Sequence, residues 1–373
     1  MRIFTFVAIF LSALEIIWAQ APAKPAPDTL VLKDGERLIG HLTRATDTQV
    51  IFKSDLVGEV TVKWSDVTEL HSGAKVAVIS KAPKGEKMGR RQVAANTPEG
   101  TISATGEAIT LTQANGQTQS VPVANTERVL DTATFEKDVA RTPGIFEDWN
   151  GTATAGLSLV EATQNSRNYT TAISLIRMVP PETWLEKRSR TELDFTSTYG
   201  EVTQPGTPTV KTNIFHGSAQ QDEYFSGAVY GFGEAMFDHN FSQGLDLQQS
   251  YSGGLGWTAI SNSASTFDLK AGLSYERQQF ATGPELDLFG STFSETLNHK
   301  FHRGWTLAEE IDVSPAWNRT KALLANGNVT FTMPVYKRLN FTTSIIDAFL
   351  NDPAPGFKRN SFQFTTGISY TLR

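Results

Sequence analysis

From Trp149 to the C-terminus, apolar and polar residues alternate with a period of two, segment after segment. A β-strand sends successive side chains to opposite faces, so each such segment carries one greasy and one polar surface. The final segment shows this most plainly. Phe362, Phe364, Ile368, Tyr370 and Leu372 share one parity, and Gln363, Thr365, Gly367, Ser369 and Thr371 the other. Such a strand at the end of a chain has the form of the closing strand of a bacterial outer-membrane barrel. Two departures are Leu372, where an aromatic is usual, and the extra Arg373.

The same pattern recurs over residues 149–160, 169–178, 189–199, 211–221, 228–238, 245–259, 267–276, 289–301, 305–317, 323–335 and 339–350. With the closing segment this predicts about twelve strands, an even number, each long enough for the ~9–11 residues of a tilted membrane strand. Connections are expected to alternate between short (179–181, 262–264, 302–304, 336–338) and longer polar ones (163–168, 201–209, 238–244, 278–287, 351–360). Short turns on one side and long loops on the other are the outer-membrane habit. An even count then puts both barrel ends, and residues 28–148, on the periplasmic side. Trp149, Trp184, Tyr199, Trp305, Trp317 and Tyr336 fall near strand ends, as an interfacial aromatic girdle would. A soluble β-sandwich also alternates, but the polar parity here carries charges that a dry core would not accept. Arg188, Arg190, Glu192, Asp194, Asp246, Asp268, Lys270 and Glu276 are therefore expected to line a lumen. Glu234, Glu295, Glu309 and Asp347 break the greasy parity of their strands, which calls for a bulge that turns them inward or a place near the interface, where charge is cheaper.

The chain before Trp149 reads differently. Arg2, an apolar run over residues 3–18 and Ala19-Gln-Ala21 make a signal peptide, 1–21, cleaved near Ala21. Residues 22–27 form a flexible mature start. No later apolar stretch approaches the ~20 residues of a membrane helix, so insertion must be by strands. Residues 28–130 predict a small all-β periplasmic domain of SH3-like or Sm-like architecture, with Asp34-Gly35 and Asn115-Gly116 as hairpin turns. It divides into two half-repeats, 28–80 and 98–130. Val62-Lys-Trp-Ser-Asp-Val67 and Val121-Pro-Val-Ala-Asn-Thr126 sit at matching places in them. Residues 81–97 read as a linker and 131–148 as a connector into the barrel, 149–373.

Four stretches then stand out: Trp149-Asn-Gly151 with Ala155-Gly-Leu157 behind it, Gly253-Gly-Leu-Gly256 before Trp257, Ala271-Gly-Leu-Ser-Tyr-Glu276, and Asp347-Ala-Phe-Leu-Asn-Asp-Pro353 followed by Thr365-Thr-Gly-Ile-Ser-Tyr370. Over residues 149–373 the chain resembles the domain-of-unknown-function 481 family, whose members are described as salt-induced outer-membrane proteins. Members often carry a Gly-Asn pair after the first strand, where this chain has Thr163-Gln-Asn-Ser-Arg-Asn168. The resemblance implies an outer-membrane barrel and brings no catalytic residues with it.

Chemistry is sparse. With no cysteine there is no disulfide, thiolate metal site or lipidated N-terminal cysteine. The 33 basic residues against 39 acidic ones form no basic block, which excludes nucleic acid as a partner. No G-x-S-x-G, H-E-x-x-H or P-loop pattern occurs. A lipid-facing hydrolase would need His299 as base, with Ser291 or Ser294 beside it. Asp222-Glu223, Glu309-Glu310 and Glu285 with Asp287 are ordinary solvated acids before they are calcium ligands. No catalytic residue, cofactor or metal is therefore assigned, and no enzyme activity is expected. Two roles stay open: a passive or gated pore for small polar solutes, and an envelope anchor whose periplasmic domain binds a partner or the cell wall. The expected partners are outer-membrane lipid and, during biogenesis, the barrel-assembly machinery.

Overall fold

A computed structural model describes residues 27–83, 86–160, 165–203, 206, 208–319, 321–353 and 355–372. The signal peptide and residues 22–26 lie outside them. The described chain forms two compact units, one of residues up to 81 with 97–135, the other of 82–96 with 136–373.

The first unit is one antiparallel sheet of nine strands: β1 Asp28–Leu32, β2 Arg37–Ala45, β3 Gln49–Ser54, β4 Gly58–Lys63, β5 Val67–Ser80, β6 Glu99–Ala104, β7 Ala108–Thr112, β8 Thr118–Pro122 and β9 Thr126–Asp131. β1 and β9 occupy the same slot end to end, β1 between the early parts of β2 and β5 and β9 between their later parts. The two motif stretches share a local geometry. Each has a 3-10 turn (Trp64–Asp66, Val123–Asn125) whose following residue donates its N–H back to the first carbonyl. In both, the first, third and sixth motif residues are buried: Val62, Trp64 and Val67, and Val121, Val123 and Thr126. Val62, Trp64, Val67, Val121 and Val123 share one core with Leu30, Phe52, Leu70 and Ile109, so neither stretch encloses an interior of its own.

The second unit is a closed antiparallel barrel of twelve strands: β10 Trp149–Val160, β11 Asn165–Val179, β12 Ser189–Thr203, β13 Val210–Tyr224, β14 Val229–Asn240, β15 Leu245–Ser261, β16 Ser265–Phe280, β17 Leu286–Lys300, β18 Thr306–Pro315, β19 Leu323–Tyr336, β20 Leu339–Leu350 and β21 Asn360–Leu372. Each strand pairs with its sequence neighbour, and β21 closes on β10 through Ala155↔Ile368 to Gly151↔Leu372. Closure removes every sheet edge, as spanning a membrane requires. The chain enters and leaves the barrel at one end, called here the near end.

Burial runs inside out. Leu157, Tyr169, Phe195, Leu255, Trp257, Leu273, Phe293 and Phe364 are exposed on the outer face, whereas Arg190, Gln220, Gln248, Asp268, Glu276 and Gln278 are buried within. A water-soluble barrel would bury the first set; lipid is the solvent that reverses the preference. Aromatic side chains run across the outer face near the far end in a row, Phe237 to Tyr251 to Tyr275 to Phe289, with centroids 5.0–6.5 Å apart. Trp305 and Phe301 both lean on Phe331 near the other end. Of the aromatics expected at strand ends, Trp149, Trp305 and Tyr336 stand at the near end and Tyr199 and Trp317 at the far end. Trp184 lies outside the strands.

It belongs to the connection 180–188, which the sequence suggested would be a three-residue turn. Its Leu185 is fully buried and forms a single parallel bridge with Met88, and the Glu186 N–H donates to the Met88 carbonyl. The stretch read as a linker therefore folds with the barrel unit and contains a short helix, α1, Arg90–Asn96. In the connector, Arg141 grips Glu147 with both terminal nitrogens (2.8 and 3.2 Å), and Arg177 of β11 donates to the Glu147 and Gly144 carbonyls. The Gly144 N–H and then Arg141 hold the Glu147 carboxyl below the usual carboxylate range.

Candidate functional site

The barrel interior holds the chain's concentrated polar chemistry, in two layers. The layer toward the near end is a plug. Arg190 of β12 donates from Nε to Asp222 of β13 and from a terminal nitrogen to Asp268 of β16, both at 2.6 Å. These three side chains belong to residues only 7 %, 0 % and 2 % exposed. Gln220 donates to the other Asp222 oxygen (2.8 Å) and accepts from Lys270 (2.5 Å). Lys270 in turn stands 3.9 Å from Glu234. Isolated, any of these charges would be expensive to bury; cross-linked, they hold one another across the lumen.

Two aromatic rings complete the plug. The Arg190 guanidinium lies 5.1 Å from the Tyr230 centroid, and the Lys270 ammonium 5.5 Å from that of Phe232. Both rings have room because their cross-strand partners lack side chains: Tyr230 pairs with Gly256 and Phe232 with Gly254. A Cβ built on Gly256 would lie 2.1 Å from the Tyr230 ring, and one on Gly272 would lie 3.0 Å from Phe232. Of the glycines in these motifs, Gly256 thus makes room for a ring, while Gly254 and Gly272 sit hard against the backbone of the neighbouring strand. At the near mouth, Lys187 reaches over the Tyr224 ring at 5.6 Å. Burial lowers its pKa, and nearby Asp268 partly opposes that shift.

Beyond the plug lies a chamber of about 160 Å³. Asp194, Glu234, Asp238, Glu310 and Asp312 line it, with His216 bonded to Asp238 at 2.7 Å. Among the described residues lining it there is no lysine or arginine. Toward the far end its wall turns apolar at Ile214, Leu245, Leu324 and Leu350. There the turn Phe241–Gln243 reaches toward the opposite wall. Gln243 donates to the Ala348 carbonyl (3.0 Å) and the Arg359 carbonyl (2.9 Å), and Asn240 donates to Gln243 (2.8 Å).

Of the residues expected in the lumen, Arg190, Glu192, Asp194, Asp268, Lys270 and Glu276 lie on the inward parity of their strands. Arg188 does not: it is exposed in the connection before β12. Nor does Asp246, because a register shift between Leu245 and Leu247 puts buried Leu245 on the chamber wall and leaves Asp246 exposed. Glu234 needs no bulge, since the whole even parity of β14 faces inward, aromatic residues included. Glu295 and Glu309 stay outward with unbroken register, opposite Ile311 and Leu297. Asp347 pairs with Phe362 without a bulge, yet it lines the chamber, and one of its carboxylate oxygens is buried without a partner.

His299 bonds Ser265 (2.8 Å) rather than Ser291 or Ser294. Ser291 accepts from Trp317, and Ser294 donates to Asp312 inside the barrel. The hydrolase pairing considered from sequence is therefore not assembled. Among the described residues no group of three or more His, Asp or Glu side chains is placed to hold a metal ion.

The fold and interior define a twelve-stranded antiparallel barrel with an apolar outer face and a polar, cross-linked lumen. The chain belongs to the family described as protein of unknown function, DUF481, whose match covers residues 153–372. No curated protein matches it. Among solved structures it is similar to the NanC porin (9 % identity, TM-score 0.36, covering 60 % of this chain and 100 % of that one). It is also similar to the KdgM porin (10 %, 0.30, 60 % and 99 %) and to the translocator domain of the autotransporter NalP from Neisseria meningitidis (9 %, 0.30, 60 % and 86 %). The barrel itself is defined by this chain's own strand pairing.

Proposed function

We propose that the protein is an outer-membrane barrel acting as a gated pore for small polar solutes, shut at the near end in this conformation. The observation that carries the proposal is the polar chamber inside a closed barrel, separated from the near mouth by side chains alone. Opening it requires Arg190, Tyr230 and Lys270 to change partners while every strand hydrogen bond stays in place. Porin-like conduction needs no more than that. On this reading the near end is periplasmic, residues 1–21 are removed on export, and the N-terminal sheet stands in the periplasm, where a partner or the cell wall is its expected contact. Lipid is the expected partner of the outer face and the assembly machinery that of the nascent barrel. No catalytic role is proposed.

The completeness of the plug favours a second reading, a barrel that serves only as an anchor. Solute efflux from proteoliposomes separates the two. A pore releases entrapped small ions and sugars faster than empty vesicles do, and faster still when Arg190 is replaced by Ala. Vesicles holding the folded barrel that retain both solutes, with or without the replacement, would leave the anchor.

A further inference from the structure

We infer that the chamber is a binding site for a small organic cation, with its ammonium group among the carboxylates and a short apolar body in the collar toward the far end. The inference rests on the pore reading for its physiological meaning, but the site itself is argued from its walls.

Three observations point the same way. First, charge is unbalanced. Asp194, Glu234, Asp238, Glu310, Asp312 and Asp347 line the chamber with His216 as the one basic side chain among its described lining residues, and Lys270 faces Glu234, Glu310 and Asp312 from the plug side. Like charges held in one enclosed space repel, and a guest of opposite charge relieves that repulsion. Second, acceptors are left over. Asn240 is 5 % exposed, lines the chamber, and its Oδ1 has no hydrogen-bond partner; one Asp238 oxygen is also unpaired. A buried acceptor without a donor is unusual, and an N–H of an ammonium group is the donor this wall lacks. Third, the wall is graded along the axis. Ile214 and Leu245 flank Asn240 on the neighbouring strands, Leu324 pairs with Leu350, and the carboxylates lie deeper. A bare metal ion would have no use for that collar, and the acids are not grouped to ligate one. A primary alkylamine uses both parts of the wall, and its neutral or anionic analogue does not.

The test is isothermal titration of the full-length protein in detergent micelles with butylamine, 1-butanol and butyrate in turn. Saturable binding of butylamine alone is expected, weakened by about tenfold or more in E310Q/D312N, whose circular dichroism and heat-modified mobility match the wild type. Equal binding of butanol, or an unchanged affinity in that variant, would overturn the assignment. So would the absence of any butylamine heat, or displacement of butylamine by calcium chloride at lower concentration. Because binding is read without a membrane, a silent barrel that still takes up butylamine sinks the pore and keeps the site. A conducting barrel that ignores butylamine does the reverse.

Discussion

Replacing Arg190 by Ala should cost the barrel more than any single surface change. The guanidinium is the shared cation of Asp222 and Asp268, each 2.6 Å away, with Glu192 at 3.6 Å. Removing one partner of a buried pair costs about 3–5 kcal/mol, mainly because the charge left behind is uncompensated. Two pairs break here, but Asp222 keeps the Gln220 donor and water can enter the vacated space. The losses therefore do not double, and we expect about 3–5 kcal/mol in total. Urea titration in lipid vesicles, followed by tryptophan fluorescence, measures it. The triple variant R190M/D222N/D268N removes the charges together and should return to within about 1–2 kcal/mol of the wild type. If R190A loses less than about 1 kcal/mol, the plug is not held by this cation. If the triple variant is as damaged as R190A, uncompensated charge is not the cause.

Other outcomes follow from the same geometry. Gly256→Val puts a side chain where the Tyr230 ring lies and should cost about 1–3 kcal/mol, whereas Gly233→Val, with nothing within 4 Å of its Cβ position, should change stability by less than about 0.5 kcal/mol in the same titration. Glu309→Leu removes an outward carboxylate set between Leu297 and Val329 and should raise stability in a bilayer by about 1 kcal/mol. Lys187 has a depressed pKa in the folded protein, so between that value and the ordinary lysine range the unfolded chain binds the extra proton. Stability should then rise with pH across that window, and Lys187→Met should abolish the rise in urea titrations at stepped alkaline pH.

The barrel was legible because lipid reverses burial on one parity only. Trp149–Val160 and Leu339–Leu350 emerged with the bounds the alternation predicts, and the other ten strands within a few residues of theirs. Two kinds of reading failed for physical reasons. β14 presents Tyr230, Phe232 and Met236 to the lumen beside Glu234 and Asp238, and Val229 and Phe237 to the outside beside Gly231, Gly233 and Ala235, so its large apolar residues fall on both parities. No periodicity reveals that, although Gly254 and Gly256 on the facing strand are the trace of it. Asp246 was misplaced because a register shift inverts parity without any mark in composition. The plug partners Asp222, Gln220 and Glu234, and the chamber acids Asp238, Glu310 and Asp312, were not assigned to the lumen from sequence. Asp222 and Asp238 meet Arg190 and His216 on adjacent strands, which needs the hairpin register, while Arg190–Asp268 and Lys270–Gln220 join strands far apart in the chain, which needs the strand order around the barrel. Gln243 was hidden in a loop, where no periodicity speaks at all.

Single-channel recording in a planar bilayer, comparing the full-length protein with its R190A form, tests the central claim most directly. A lumen shut by side chains predicts brief, infrequent current steps from the wild type and larger or longer-lived ones once Arg190 is gone. Silence from both, with each barrel shown by heat-modifiable mobility to be folded in the lipid, would contradict it.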